Sequence, residues 1–317
     1  ARGPPPLTGG PGPAPPGLLR RLGDTLSPMR EDDLPTNSSA QPEVELKMGG
    51  IELLPIVQPL WEALYDHHHE NGDAGLAVRP REESWPLRFA HYEQIFKDHT
   101  AFAIVAHTAG VPSGYALAYE DDPIDEDDER SIVTVESLVL LPETRGQGIG
   151  TLLLAAVETE ASERWEAAES ALEVMTGNES ADAFYEHAGF VERGETWLRL
   201  APAGGPAVGE RKTDEDRLGE LLDEHLDDEN ALFALALEDG PDDTWLTSDV
   251  LVVGQPEYDV EADAAALEAA LAPFAAAGAT SALIALDSET DAGWPEALES
   301  LGFRKVLRLL TRPIAAN

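Results

Sequence analysis

Ile132 to Leu141 is β-branched and leucine-rich, reads as a strand, and runs into Arg145-Gly146-Gln147-Gly148-Ile149-Gly150 ahead of an apolar helix from about Gly150 to Trp165. A strand that feeds a glycine-rich turn and then a helix presents unpaired backbone N–H groups at the positive end of the helix dipole. That arrangement suits a phosphate or pyrophosphate. Glycine at 146, 148 and 150 removes the Cβ atoms that would block close approach, and Arg145 adds a cation. Tight helix–strand packing explains such a loop equally well. The spacing is neither the Gly-Lys-Ser/Thr of a P-loop nor the Gly-x-Gly-x-x-Gly of a dinucleotide fold, so the flanking segments have to decide.

Before the loop, the pattern predicts a short strand at Ile51–Leu54, helices at Ile56–His68 and Leu87–Asp98, and strands at Ala101–His107 and Tyr115–Glu120 joined by a turn with Gly110, Pro112 and Gly114. An acidic connection, Asp121 to Glu129, precedes the loop strand. After the loop helix come a strand at Leu172–Met175, a helix at Ala181–His187 that stops at Gly189, a strand at Trp197–Leu200 and a linker from Ala201 to Pro206. Three segments follow from this reading. Residues 1–47, rich in Pro, Gly and Ser, form a disordered tail; residues 48–204 form one domain and 205–317 a second. The two domains share a weak repeat. Pro142-Glu143-Thr144 returns as Pro256-Glu257-Tyr258, and Ala171-Leu172 to Gly189-Phe190 is echoed by Ala282-Leu283 to Gly302-Phe303. The second copy lacks the glycine loop: Asp259, Ala262 and Ala264 face Arg145, Gly148 and Gly150.

Charge narrows the function classes. The chain has 61 acidic and 21 basic residues, a formal net charge of −40. Such self-repulsion is relieved at molar salt, where the Debye length is about 3 Å, and the balance resembles that of proteins from salt-accumulating halophiles. A nucleic-acid partner would need a basic face that so few Lys and Arg cannot supply. No apolar run approaches the ~18 residues of a membrane span, and no signal-peptide stretch follows Arg20-Arg21, so a cytoplasmic protein is expected. With no Cys, thiol nucleophiles, thiolate metal sites and disulfides are excluded. His67, His68 and His69 are consecutive on a predicted helix and point in different directions, which argues against a metal.

The loop and its neighbours together resemble the GNAT superfamily of N-acetyltransferases. Arg145, Gly148 and Gly150 match the family's cofactor motif, and Glu136-Ser137-Leu138-Val139-Leu140-Leu141-Pro142-Glu143 looks like its central strand. Asn178, Ala181, Phe184-Tyr185 and Gly189-Phe190 match its later pattern, over residues of about 50 to 202. The resemblance implies an α/β (α+β) fold, a mixed twisted sheet flanked by helices, followed by a truncated GNAT-like second lobe. It implies acetyl-CoA as donor, its pyrophosphate on Arg145, Gly146, Gln147, Gly148, Ile149 and Gly150, and its pantetheine arm along Leu138 and Leu140 with a contact from Asn178. The acyl group would pass directly to a primary amine, with Tyr185 as the general acid toward the leaving sulfur and Glu136 as the base that takes the amine proton. A packed helix aromatic and a solvated strand glutamate are the plain alternatives for these two residues. Tyr65, one of the three histidines, Trp85 and His91 belong to the acceptor side on the same resemblance.

A CoA-binding regulatory or interaction module without chemistry is the alternative function, and a scaffold that binds no CoA is a third. In the second lobe Leu298 stands where Tyr185 would, counted back from the Gly-Phe pair. That lobe is expected to cap the acceptor cleft or replace a dimer partner, giving either a monomer of pseudo-dimeric lobes or a homodimer.

Overall fold

Alternating apolar positions in the first half of the chain build a four-stranded antiparallel run with helices on both faces. The computed structural model describes residues 43–71, 79–124, 130–200, 214–226, 231–238, 251–256, 260–279 and 281–315. In chain order the first part is β1 (Val44–Gly49), α1 (Leu54–Asn71), α2 (Arg81–Asp98), β2 (Ala101–Thr108), β3 (Val111–Asp121), β4 (Ile132–Leu140), α3 (Ile149–Trp165), β5 (Glu169–Met175), α4 (Glu179–His187) and β6 (Val191–Leu200). The second part is α5 (Glu215–Leu226), β7 (Phe233–Glu238), β8 (Leu251–Pro256), α6 (Ala264–Ala276), β9 (Ser281–Asp287), α7 (Trp294–Ser300) and β10 (Arg304–Pro313). This is the mixed sheet with flanking helices that the sequence implied. The expected tail as far as residue 42, part of the acidic connection, the linker and residues 257–259 lie outside the described residues.

Two expectations near the start are corrected. The segment Ile51–Leu54 is not a strand: Ile51–Leu53 is a 3-10 turn closed by Leu53 N–H to the Gly50 carbonyl at 3.0 Å, leading into α1. Pro55 at the second position of α1 favours a helix start, and Gly49-Gly50 interrupts any strand before it. The strand lies earlier. Val44–Gly49 pairs antiparallel with β2 from Val44↔Thr108 to Gly49↔Ala103, so residues 44–47, expected in the tail, belong to the sheet.

All ten strands form one sheet in the order β1-β2-β3-β4-β5-β10-β6-β9-β8-β7. Pairs β4–β5 and β8–β9 are parallel, each joined through a helix, α3 in one case and α6 in the other. At the centre the two halves exchange strands. β10, the last strand of the chain, lies between β5 and β6 and is antiparallel to both, pairing Leu307–Pro313 with Met175–Glu169 and Arg304–Thr311 with Leu198–Val191. β6 in turn pairs with β9, Gly194↔Asp287 to Leu200↔Ser281. Each half's parallel pair is therefore extended by the other half's final strand.

Three cores result. One, with Ile149, Leu153, Leu154 and Val157 of α3, packs on one face of β2–β5. The opposite face carries Leu54, Val57, Leu60 and Trp61 of α1 and Tyr92 and Ile95 of α2. The third joins α5, α6 and α7 around fully buried Trp294 and Leu298 to β7 and β9. No helix among the described residues is long and apolar enough to cross a membrane.

A strand's backbone groups must find partners when buried. A chain ending at residue 205 would leave the facing edges of β5 and β6 bare. We expect it to lose its cooperative melt and its β-sheet circular dichroism in molar KCl. A truncated chain that stayed monomeric and melted like the full-length protein would contradict the insertion of β10.

Candidate active site

β4 and β5 begin as neighbours and then separate. Their pairing covers only Ile132↔Glu169, Val133↔Ser170 and Thr134↔Ala171, although β4 continues to Leu140 and β5 to Met175. Among the described residues the β5-facing edge of residues 135–140 has no strand partner. A register irregularity lies on the other side of β4 at the same point. Its register with β3 skips from Ser137↔Leu117 to Val135↔Ala118, so Glu136 is the extra residue of a β-bulge. A bulge reverses the parity of side chains beyond it. Val133 and Val135 pack on the α3 face, as do Leu138 and Leu140, whereas Val139 packs against α1 and α2.

Glu136 faces α2, opposite to Val133 and Val135, and the bulge brings Ser137 to that same side. Glu136 Oε1 accepts from Arg88 Nη1 at 2.5 Å and lies 3.0 Å from His91 Nε2. Arg88 and Glu136 side chains are only 16% and 17% exposed, so this ion pair is shielded from water. The next residue anchors the same helix: Ser137 Oγ is 2.8 Å from Tyr92 Oη, which is 3.0 Å from Tyr115 Oη, all buried. Arg88 also lies over the Tyr92 ring, 5.5 Å from its centroid. His91 was expected on the acceptor side and is here beside the expected base. Arg88 was not anticipated, since a lone arginine in a helix of charged residues carries no sequence signal.

Beyond the splay, the chain turns through a 3-10 turn at Pro142–Thr144 into the glycine loop. Thr144 Oγ1 donates to the Ser113 carbonyl at 3.0 Å, tying the turn to β3, and Arg145 Nε donates to the Leu140 carbonyl at 3.4 Å. Gly146 (φ +73°) and Gly148 (φ +80°) are left-handed, a conformation that favours glycine. A Cβ on either would meet nothing within 4 Å, so backbone conformation is what requires them. Gly150 differs: its Cβ would stand 3.3 Å from Phe184 Cζ and 3.4 Å from Leu140 Cδ1. Its smallness lets α4 approach α3 and the end of β4. The first helical bond of α3 runs from Leu152 N–H to the Gly148 carbonyl at 3.1 Å, which leaves the amides of Ile149, Gly150 and Thr151 outside the helix ladder. Gly148 is the N-cap and has no side chain to cover them.

Asn178 is the N-cap of α4. Its Oδ1 accepts from Ala181 N–H at 3.3 Å and Ser180 Oγ at 3.0 Å, and lies 3.1 Å from His67 Nε2 of α1. Tyr185, on the same helix, is 7% exposed and sits in the core on the α3 face, edge-on to Phe184 and Phe190. Burial raises its phenol above the usual range, so the hydroxyl stays protonated. Glu136 and Tyr185 thus lie on opposite faces of the sheet, one against α2 and the other in the α3 core. The three histidines diverge: His67 meets Asn178, His69 stacks on Tyr65 with centroids 6.2 Å apart, and His68 is partly buried. Burial, with His67 and Arg88 nearby, lowers His68 to about 3. Trp61 and Trp85, centroids 5.1 Å apart, seal α1 against α2 behind these residues.

The second half repeats β8–α6–β9 but closes the equivalent helix start itself. Asp263 is the N-cap of α6, its Oδ1 accepting from Ala265 N–H at 2.9 Å and Ala266 N–H at 3.0 Å. A carboxylate of the chain occupies the donors that α3 leaves open.

Residues 61–190 match the sequence model of the acetyltransferase (GNAT) family. A GCN5-related N-acetyltransferase from Sphaerobacter thermophilus is 16% identical with a TM-score of 0.51, over 86% of this chain and 96% of its own. The glucosamine N-acetyltransferase region of a fungal multi-domain β-N-acetylglucosaminidase is 12% identical with a TM-score of 0.51, over 86% of this chain and 38% of that one. The PaiA N-acetyltransferase from Thermoplasma acidophilum, in complex with coenzyme A, is 17% identical with a TM-score of 0.37, over 47% of this chain and 91% of its own. No curated protein sequence matches.

Two outcomes follow. Gly148→Ala forces an L-residue into a left-handed conformation at a cost of ~1–2 kcal/mol, and should lower the melting temperature in a thermal scan. His68 is neutral in the folded protein but takes a proton below about 6.5 when unfolded. Its folded value of about 3 means that stability falls as pH drops from about 6.5 toward 3. Denaturant melts of His68→Gln should show a shallower loss over that window.

Proposed function

We propose that the protein transfers an acetyl group from acetyl-CoA directly to a primary amine, with the pyrophosphate on the amides that precede the α3 ladder. The open start of α3, set against the self-capped start of α6 in the same chain, is the observation that carries this reading. Uncapped donors at a helix N-terminus beside a cation suit a diphosphate. In an acidic protein such a ligand depends on local donors, because the long-range field opposes it. The bare edge of residues 135–140 suits the amide groups of a pantetheine arm, which can add to a sheet as a strand does. Leu138 and Leu140 lie on this stretch; Asn178, at the start of α4, is the arm's further contact.

In the proposed reaction the neutral amine attacks the thioester carbon, a C–N bond forms and the C–S bond breaks. Tyr185 gives its proton to the departing sulfur. Glu136, directly or through water, takes the proton released by nitrogen, and solvent restores both groups. The burial that keeps Tyr185 protonated and the pairing that holds Glu136 in one orientation support these roles. Partly buried Trp85 and Tyr65, with His91, line the acceptor side, and the net charge of −40 favours cationic acceptors.

The test is thiol release from acetyl-CoA in molar KCl with a panel of amines. Tyr185→Phe keeps the ring and should lower kcat by about 10²–10³-fold while coenzyme A binding stays within a few fold, as loss of a proton donor predicts. Glu136→Gln should lower kcat while coenzyme A binding stays within a few fold. Binding of coenzyme A without turnover of any amine would instead favour a regulatory CoA-binding module.

A further inference from the structure

We propose that Arg308 and Arg312, carried on β10 by the second half of the chain, are positioning residues that hold α4 in register for acyl transfer. The inference rests on the acetyl-transfer reading for its kinetic consequence and on geometry for the rest. The two arginines are four residues apart on one strand and so share a face. Arg308 Nη2 donates to Asp182 Oδ1 in the first turn of α4, and its Nη1 donates to Glu192 Oε2 of β6 at 3.2 Å. Arg312 Nη1 donates to the carbonyl of Ala188, the C-cap of α4. The same guanidinium pairs with Glu158 of α3, Nε to Oε1 at 3.1 Å and Nη2 to Oε2 at 2.5 Å, and lies over the Phe190 ring at 5.0 Å.

α4 is therefore gripped at both ends from one strand. The need for such a grip follows from its length: nine residues are too few to be a stable helix alone, so packing and end contacts must fix its direction. The polarity matches the helix, an acidic residue in the first turn and a cation at the last carbonyls. α4 carries Asn178 at its start and Tyr185 in its second turn, so a rotation of this short helix would move both proposed contacts together. Glu158 links the same arginine to the helix that begins at the glycine loop. Through β10 the second half of the chain thus sets the relation between α3 and α4 without touching substrate.

The experiment compares Arg308→Met, Arg308→Lys, Asp182→Asn and the Arg308→Met/Asp182→Asn double variant in the full chain, with Arg217→Met at an exposed side chain of α5 as control. Amide exchange of residues 179–188 in Arg308→Met and Asp182→Asn should rise about tenfold, with α3 and the first-half sheet unchanged. The same variants should lose roughly tenfold or more in kcat, Arg308→Lys should recover part of it, and the double variant should be no worse than the singles. Arg217→Met should match wild type. Unchanged exchange in α4 with unchanged kcat overturns the proposal, as does faster exchange spread evenly over the sheet. If wild type turns over no amine, the acetyl-transfer reading fails while the exchange data still decide whether β10 holds α4.

Discussion

Backbone hydrogen bonding of β10 to both β5 and β6 is the constraint on which the molecule depends. Through those two ladders a segment from the end of the chain becomes the middle of the sheet. Removing it would not trim an edge but open a gap, because β5 and β6 have no contact that replaces it in the strand order. The same insertion explains why two sequence-adjacent halves form one unit. Each lends the other the strand that completes its parallel pair, and the side chains on β10 reach the helices of the first half rather than those of its own.

On that scaffold the site arises from one extra residue. The bulge at Glu136 reverses side-chain parity beyond it in β4, sets Ser137 on the α2 face beside the carboxylate that meets Arg88 and His91, and coincides with the point at which β4 and β5 part. An unbulged strand would keep Val133, Val135, Ser137 and Val139 on one face, and Ser137 could not reach Tyr92. Position, not residue type, separates this glutamate from the many others in the chain.

Local chemistry was legible in the sequence where it is written in local residues. The glycine spacing announced the helix start, the β-branched run Ile132–Leu141 announced β4, apolar runs announced β2 and β3, and Gly189 announced the end of α4. Asn178 and Tyr185 were recognisable through family pattern, yet their surroundings were not: the cap made by Asn178 and its contact with His67 bring together residues 111 apart. The insertion of β10 was invisible because Arg304–Pro313 reads as an ordinary strand, and pairing partners more than a hundred residues away leave no periodic trace. The misplaced first strand has a simpler origin. Val44–Gly49 is half charged or small and lies beside a Pro-rich stretch, while the apolar Ile51–Leu54 reads more strongly as β until Pro55 is weighed.

Asp263 has an energetic consequence for the balance between the two halves. A side-chain cap of this kind stabilises a helix by about 1 kcal/mol, and α6 has that contribution at all times. α3 has no side-chain cap of its own; on the proposed acetyl-transfer reading, a bound diphosphate would supply the missing counter-charge by mass action. One half is thus complete in itself, whereas the rigidity of the other would become a function of ligand concentration.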